Sequence, residues 1–252
     1  MNKSQAESLK VPRLLTPDLL QTWWNQVEKG QAQPDSAWSY GNYFTGQNTG
    51  ARVFFEVIGD DLWICLPGVR NTGIVSGNEN KDLFEFFLSK LEVGNQSIWL
   101  HNGFTKCAKE LLPIVQNQLA VLPLNIKNIY IEGYSMGADI GAILWLLLKD
   151  QIKDKQLNLY LFMIGGSHIL GWGQRWKLGD TDNILSFRND EDIITHIPPK
   201  ISPLGLYTEF VPFIQVGNYW NIISSFRGIF DYTKNAHYYD NYFINIKAKF
   251  FS

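Results

Sequence analysis

Cysteine is nearly absent. Cys65 and Cys107 are the only two in 252 residues, too few for a disulfide framework, so each reads as a buried thiol, one in a strand-like and one in a helix-like stretch. Surplus charge is lacking as well: 22 Lys and Arg against 24 Asp and Glu leave a formal net charge of −2. Without a basic excess to neutralise phosphates, no nucleic-acid partner is expected. Long apolar runs are missing. The longest, Ala142 to Leu148, falls far below the ~20 residues that cross a bilayer. Met1 to Pro12 has no apolar stretch of the kind a secretory signal carries. The expectation is a chain without a transmembrane segment, cytoplasmic or exported by a non-classical route, its address otherwise unreadable. Repeats and low-complexity linkers are lacking too. The length suits one large α/β domain over 1–252, with 1–50 as an N-terminal helix and surface wrap.

What is present is core material, with 45% hydrophobic and 14% aromatic residues. Thr16-Pro17-Asp18 reads as an N-cap, a proline at the first helical position and an acid in the first turn, opening a helix that ends near Gly30. Gln31 to Gly50 reads as irregular. Ala51 to Ile58 and Leu62 to Leu66 are β-rich runs joined by Gly59-Asp60-Asp61, a hairpin signal. Asp82 to Leu91 reads as a helix, Ser97 to Leu100 as a strand, and Lys106 to Ala120 as a helix containing Pro113. Strand Ile126 to Glu132, helix Met136 to Lys149, strand Leu157 to Ile164 and strand Ile184 to Arg188 follow. Helices are expected over Tyr219 to Phe230 and His237 to Phe251. This alternation implies an α/β fold, a mostly parallel central sheet with helices on both faces.

Gly133-Tyr134-Ser135-Met136-Gly137 is a G-x-S-x-G sequence lying between the strand and the helix just named. That context is what a nucleophile elbow requires: a tight strained turn, glycines where helix and strand pass closely, and a serine at the sheet edge over the helix N-terminus. A serine hydroxyl needs a base, and histidine suits the task near neutral pH. Only four histidines occur: His101, His168, His196 and His237. The order Ser, then Asp or Glu, then His favours His237. Asp180, Asp182, Asp190, Glu191 and Asp192 all lie in the window for the acid. Asp192 is favoured because it follows a strand and precedes Ile193-Ile194, but the residues alone leave the choice open.

Further motifs fall in order around the elbow. His101-Asn102-Gly103-Phe104 precedes it; Asp192-Ile193-Ile194-Thr195-His196-Ile197-Pro198-Pro199 and His237-Tyr238-Tyr239 follow it. On these the chain, from Ala51 to Phe243, resembles the class 3 lipase family, known from fungal triacylglycerol lipases. The resemblance implies an α/β-hydrolase fold and a triad of Ser135, Asp192 and His237, leaving His101 and His196 structural. It also implies an oxyanion hole from the backbone N–H of Met136 and from Thr72, in Arg70-Asn71-Thr72. The chain departs from the pattern in several places. Tyr134 and Met136 flank the serine where the family has His and Leu. Asp139 replaces a small residue, and Gly166-Ser167-His168-Ile169 stands for the G-S-P-R stretch.

The implied activity is hydrolysis of carboxylic esters of lipids through an acyl-enzyme, with no metal or organic cofactor and with transient contact at a lipid interface. The runners-up are a phospholipase or small-ester esterase and, from another class, a silent lipase-like binding module. Residues 74–91 lie where the family keeps its lid. Leu83, Phe84, Phe86, Phe87 and Leu91 would give a helix with an apolar face, which either opens over a groove or packs permanently on the core. Trp172, Trp176 and Trp220 are expected to pack in the core rather than to line an acyl groove.

Overall fold

Period-two alternation divides the strand Asn128–Tyr134 between two cores. Ile129 and Ile131 enter one, while Tyr130 and Tyr134 enter the other, because successive side chains leave a strand on opposite faces. In the computed structural model the described residues are 15–31, 39–40, 42–68, 85, 87–189, 192–196, 198, 201–202, 205–216 and 239–251. They form thirteen strands: β1 (Ser39–Tyr40), β2 (Tyr43–Thr45), β3 (Arg52–Ile58), β4 (Asp61–Leu66), β5 (Leu88–Val93), β6 (Gln96–His101), β7 (Asn128–Tyr134), β8 (Asn158–Ile164), β9 (His168–Gly171), β10 (Ile184–Asn189), β11 (Ile201–Ser202), β12 (Gly205–Glu209) and β13 (Ile214–Val216). Four α-helices accompany them: α1 (Pro17–Gln31), α2 (Asn102–Ala120), α3 (Met136–Asp154) and α4 (Tyr239–Phe251).

The larger sheet has the order β1-β2-β3-β4-β7-β8-β10-β13. Strands β4, β7, β8, β10 and β13 run parallel, and β1 to β4 form an antiparallel flank. Helices α2 and α3 supply Leu111, Val115, Ile143 and Leu144 to one core. Helices α1 and α4 supply Trp23, Val27, Tyr242 and Ile246 to the other. The mostly parallel sheet with helices on both faces, read from the sequence, is thus the architecture found. A smaller antiparallel sheet, ordered β11-β12-β9-β6-β5, stands beside it.

Local signals explain most boundaries. Thr16 Oγ1 accepts the Leu19 N–H at 3.1 Å, which caps α1 as its sequence predicts. Gly59 at φ 65° turns β3 into β4. His101 caps α2, accepting the Phe104 N–H at Nδ1. Both cysteines are buried and unbridged.

Three expectations are corrected. The helix over Asp82 to Leu91 is not formed at its end, because residues from Leu88 belong to β5, paired antiparallel with β6. The reason is Gly94-Asn95, a two-residue hairpin turn with Gly94 at φ 54°, which outweighs helical spacing of the apolar residues. The rest of the proposed lid, 74–84 and 86, lies outside the described residues. The stretch 31–50 is less irregular than its composition suggests: β1 and β2 add to the sheet edge, and Glu110 accepts the N–H groups of Asn48 and Thr49. Finally, Trp172 and Trp176 are 68% and 75% exposed, outside the core. Trp220 and the helix expected over Tyr219 to Phe230 lie outside the described residues.

One buried acid sits directly beneath the elbow. Glu132 of β7 is 2% exposed, and burial pushes its carboxyl up to about 8, with Trp23 and Cys65 pulling partly back. The unfolded carboxyl releases its proton near the ordinary 4.5 and the folded one near 8. Between those values the unfolded state binds fewer protons, so folding stability falls as pH rises, by up to ~1.4 kcal/mol per pH unit, and levels off above the folded value. Glu132→Gln is expected to flatten this slope in denaturant titrations across that window. An unaltered slope would assign the pH dependence to other groups.

Candidate active site at the elbow

Ser135 joins β7 to α3 with φ 56° and ψ −125°. Only two described residues other than glycine have positive φ, Ser135 and Gln156, and such a conformation costs roughly 1–3 kcal/mol unless its surroundings hold it. They do so here through backbone. The Ser135 N–H donates to Ile164 O at 2.8 Å, and the Ala138 N–H donates to Ser135 O at 2.9 Å. The two flanking glycines leave no choice of side chain. A Cβ on Gly133 would lie 2.3 Å from Gly137 O, and one on Gly137 would lie 1.9 Å from Leu66 O. The result is a half-buried serine at the C-terminal ends of the parallel strands, over the N-terminus of a 19-residue helix. Met136 is the first residue of that helix, whose first N–H groups lack partners within the helix itself.

The chain leaving β4 runs past the same point. A Cβ on Gly68 would come within 2.9 Å of Ser135 Cβ, and Arg52 holds the Gly68 carbonyl at 2.6 Å. Thr72 follows four residues later, outside the described residues.

Asp192 lies beyond the end of β10 and is fully buried. Tyr242 of α4 donates its hydroxyl to Asp192 Oδ2 at 2.6 Å and accepts the Asn189 N–H at 3.1 Å. Burial, and then the Asp192 charge, push the Tyr242 phenol well above its ordinary value, which keeps that proton on the tyrosine. Of the other acids in the window, Asp180 and Asp182 are exposed in a turn, with the Asp182 N–H on Asp180 Oδ1. Asp190 and Glu191 lie outside the described residues. Tyr242 escaped sequence reasoning, since nothing in a helix so far along the chain marks it as the partner of an acid 50 residues earlier.

The described histidines are occupied elsewhere. His101 is buried against Phe104, with ring centroids 4.2 Å apart, and burial lowers its imidazole to about 4. His168 is buried, its Nδ1 2.9 Å from Pro198 O and its Nε2 3.5 Å from Glu209 Oε1. His196 touches the Arg188 guanidinium. His237, the base expected from chain order, lies outside the described residues, two positions before α4 begins. Among the described residues no group of three or more His, Cys, Asp or Glu is arranged to hold a metal, and no helix is long and apolar enough to cross a membrane.

No family model matches this chain, and no curated protein does at sequence level. Solved structures match in fold. The Rhizomucor miehei triacylglyceride lipase superposes with a TM-score of 0.58 at 14% identity, covering 80% of each chain. Lipase II from Rhizopus niveus gives 0.56 at 17% identity, over 80% of this chain and 81% of that one. A fungal lipase in complex with an inhibitor gives 0.59 at 16% identity, over 76% and 78%. The chain therefore has the α/β-hydrolase fold of the fungal triacylglycerol lipases, the fold that the class 3 lipase resemblance implied.

Proposed function

We propose that this protein is a serine hydrolase that cleaves carboxylic esters of lipids. The observation that carries the reading is Ser135, held at positive φ by backbone contacts over a helix N-terminus. A second feature supports it: the acid Asp192 is buried beyond the end of β10 and accepts the Tyr242 hydroxyl. In this scheme the Ser135 hydroxyl attacks the ester carbonyl while His237 takes its proton, and Asp192 holds the imidazole tautomer and stabilises its charge. The Met136 N–H and Thr72 receive the oxyanion, each donor contributing about 3 kcal/mol to the transition state. The intermediate then collapses, His237 protonates the departing alcohol, and water releases the acid from Ser135. The scheme uses no cofactor.

Lipid esters are favoured as substrates because the fold neighbours are triacylglycerol lipases and because Trp99, Trp172 and Trp176 are exposed. Indole rings suit the boundary between water and lipid. A fluorophosphonate probe is expected to label the wild type and to leave Ser135→Ala unlabelled. Labelling that survives the alanine change would remove the reading. With labelling established, p-nitrophenyl esters of graded chain length, run beside phospholipids, separate a lipase from a phospholipase and from a small-ester esterase.

A further inference from the structure

Asp139, a position at which this chain departs from the lipase pattern, touches Ser167 in the stretch that stands for G-S-P-R. Asp139, in the first turn of α3, is 1% exposed. Its Oδ1 accepts the Ser167 N–H at 2.9 Å, and its Oδ2 lies 2.6 Å from Ser167 Oγ. Gly166 brings the loop flush against the helix: a Cβ there would sit 3.1 Å from Asp139 Oδ1 and 3.3 Å from Ala138 Cβ. The exit of β8 is therefore tied to the elbow twice, through Ile164 O on the Ser135 N–H and through Ser167 on Asp139.

We propose that Asp139 is a positioning residue for ester hydrolysis, clamping the loop after β8 to the elbow, and that the reaction proceeds with its carboxyl protonated. The inference rests on the serine-hydrolase reading above. An ionised Asp139 puts a negative charge within one helical turn of the N–H that would receive the oxyanion, where it cancels the favourable field of the helix N-terminus and repels the developing charge. The neutral carboxyl keeps the clamp without that repulsion. Burial raises the Asp139 carboxyl to about 7, against which both Ser167 bonds pull downward, so the switch falls in the working range. Three charged or titratable groups line the neighbouring ground. His168 turns its ring toward Pro198 and Glu209, while Arg188 and Glu209 border the same cleft as Ser167.

The test is the pH profile of kcat on a short soluble p-nitrophenyl ester. In the wild type kcat is expected to fall about tenfold between roughly pH 6 and 9 with KM steady, since the charge opposes only the transition state. Asp139→Asn, which can still accept the Ser167 N–H and donate to its hydroxyl, should remove this descending limb and keep the ascending limb of His237. Ser167→Ala deletes a donor to the ionised form and should move the limb to higher pH. A descending limb that persists in Asp139→Asn, or one that does not move in Ser167→Ala, overturns the proposal. The carboxyl carbon of Asp139, assigned by difference from Asp139→Asn in 13C NMR, should titrate near neutrality; a midpoint near the ordinary carboxylate value overturns it as well. Because that titration needs no turnover, it still reports on Asp139 if Ser135→Ala shows that the hydrolase reading itself fails.

Discussion

Gly137→Ala is expected to cost at least about 3 kcal/mol of stability, the upper end for overpacking, because the added Cβ meets backbone that cannot rotate away. That Cβ would fall 1.9 Å from Leu66 O and 2.8 Å from Pro67 O, so either α3 or the end of β4 must move. For a chain of this size the loss corresponds to a fall of about 6 to 12 °C in Tm. Gly141→Ala is the matched control in the same helix. Its Cβ meets only side-chain ends, Ile131 Cγ2 at 3.2 Å and Leu66 Cδ1 at 3.3 Å, and alanine gains about 1 kcal/mol in helix propensity. Thermal melts that show the two variants equally stable would mean that the helix and β4 separate freely. The elbow would then not be held in the way described.

Asp192→Asn is expected to lower kcat about 10⁴-fold while the fold persists, as loss of the correct imidazole tautomer does. Tyr242 gives this expectation a local reason. Its hydroxyl oxygen already accepts the Asn189 N–H, so its proton must go to residue 192. An asparagine there turns its carbonyl to Tyr242 and its NH2 the other way, meeting the N–H of a properly oriented imidazole donor to donor. Asp182→Asn, in the exposed turn, should be silent in the same kinetic assay. If Asp182→Asn proved the crippling change instead, the acid has been misassigned.

Much of this was legible in the chain because the informative features are local. The β7–α3 elbow joins a period-two run to a helical one through glycines, and all of its determinants lie within a few residues. The α1 cap and the β3–β4 turn are equally local. The β5–β6 hairpin was legible in principle, since Gly94-Asn95 marks it, but Phe84, Phe86 and Phe87 at helical spacing drew the reading the other way. Strands β9, β11, β12 and β13 have two to five residues each, too short for periodicity to speak. The contacts that refine the candidate site are of another kind. Tyr242 on Asp192, Ser167 on Asp139 and Trp23 beside Glu132 each join residues distant in sequence, and only the fold brings them together. Glu132 shared its strand face with Tyr130 and Tyr134, which was enough to place it inward but not to say what would cover it.

Both sheets end in strands that offer other chains little to pair with. Among the described residues the outermost strands are β1 and β13 of the larger sheet and β11 and β5 of the smaller, and three of these have only two or three residues. The longer edge, β5, carries exposed Lys90 and Glu92, ion-paired at 2.7 Å. An unpaired row of N–H and C=O groups is a template for association between molecules, and short length together with exposed charge are the usual means of blunting it. A protein crowded onto an oil droplet meets its own copies at high local density. Under the proposed lipid-ester activity, edges built this way let copies of the chain gather at such a surface without their sheets zipping one molecule to the next.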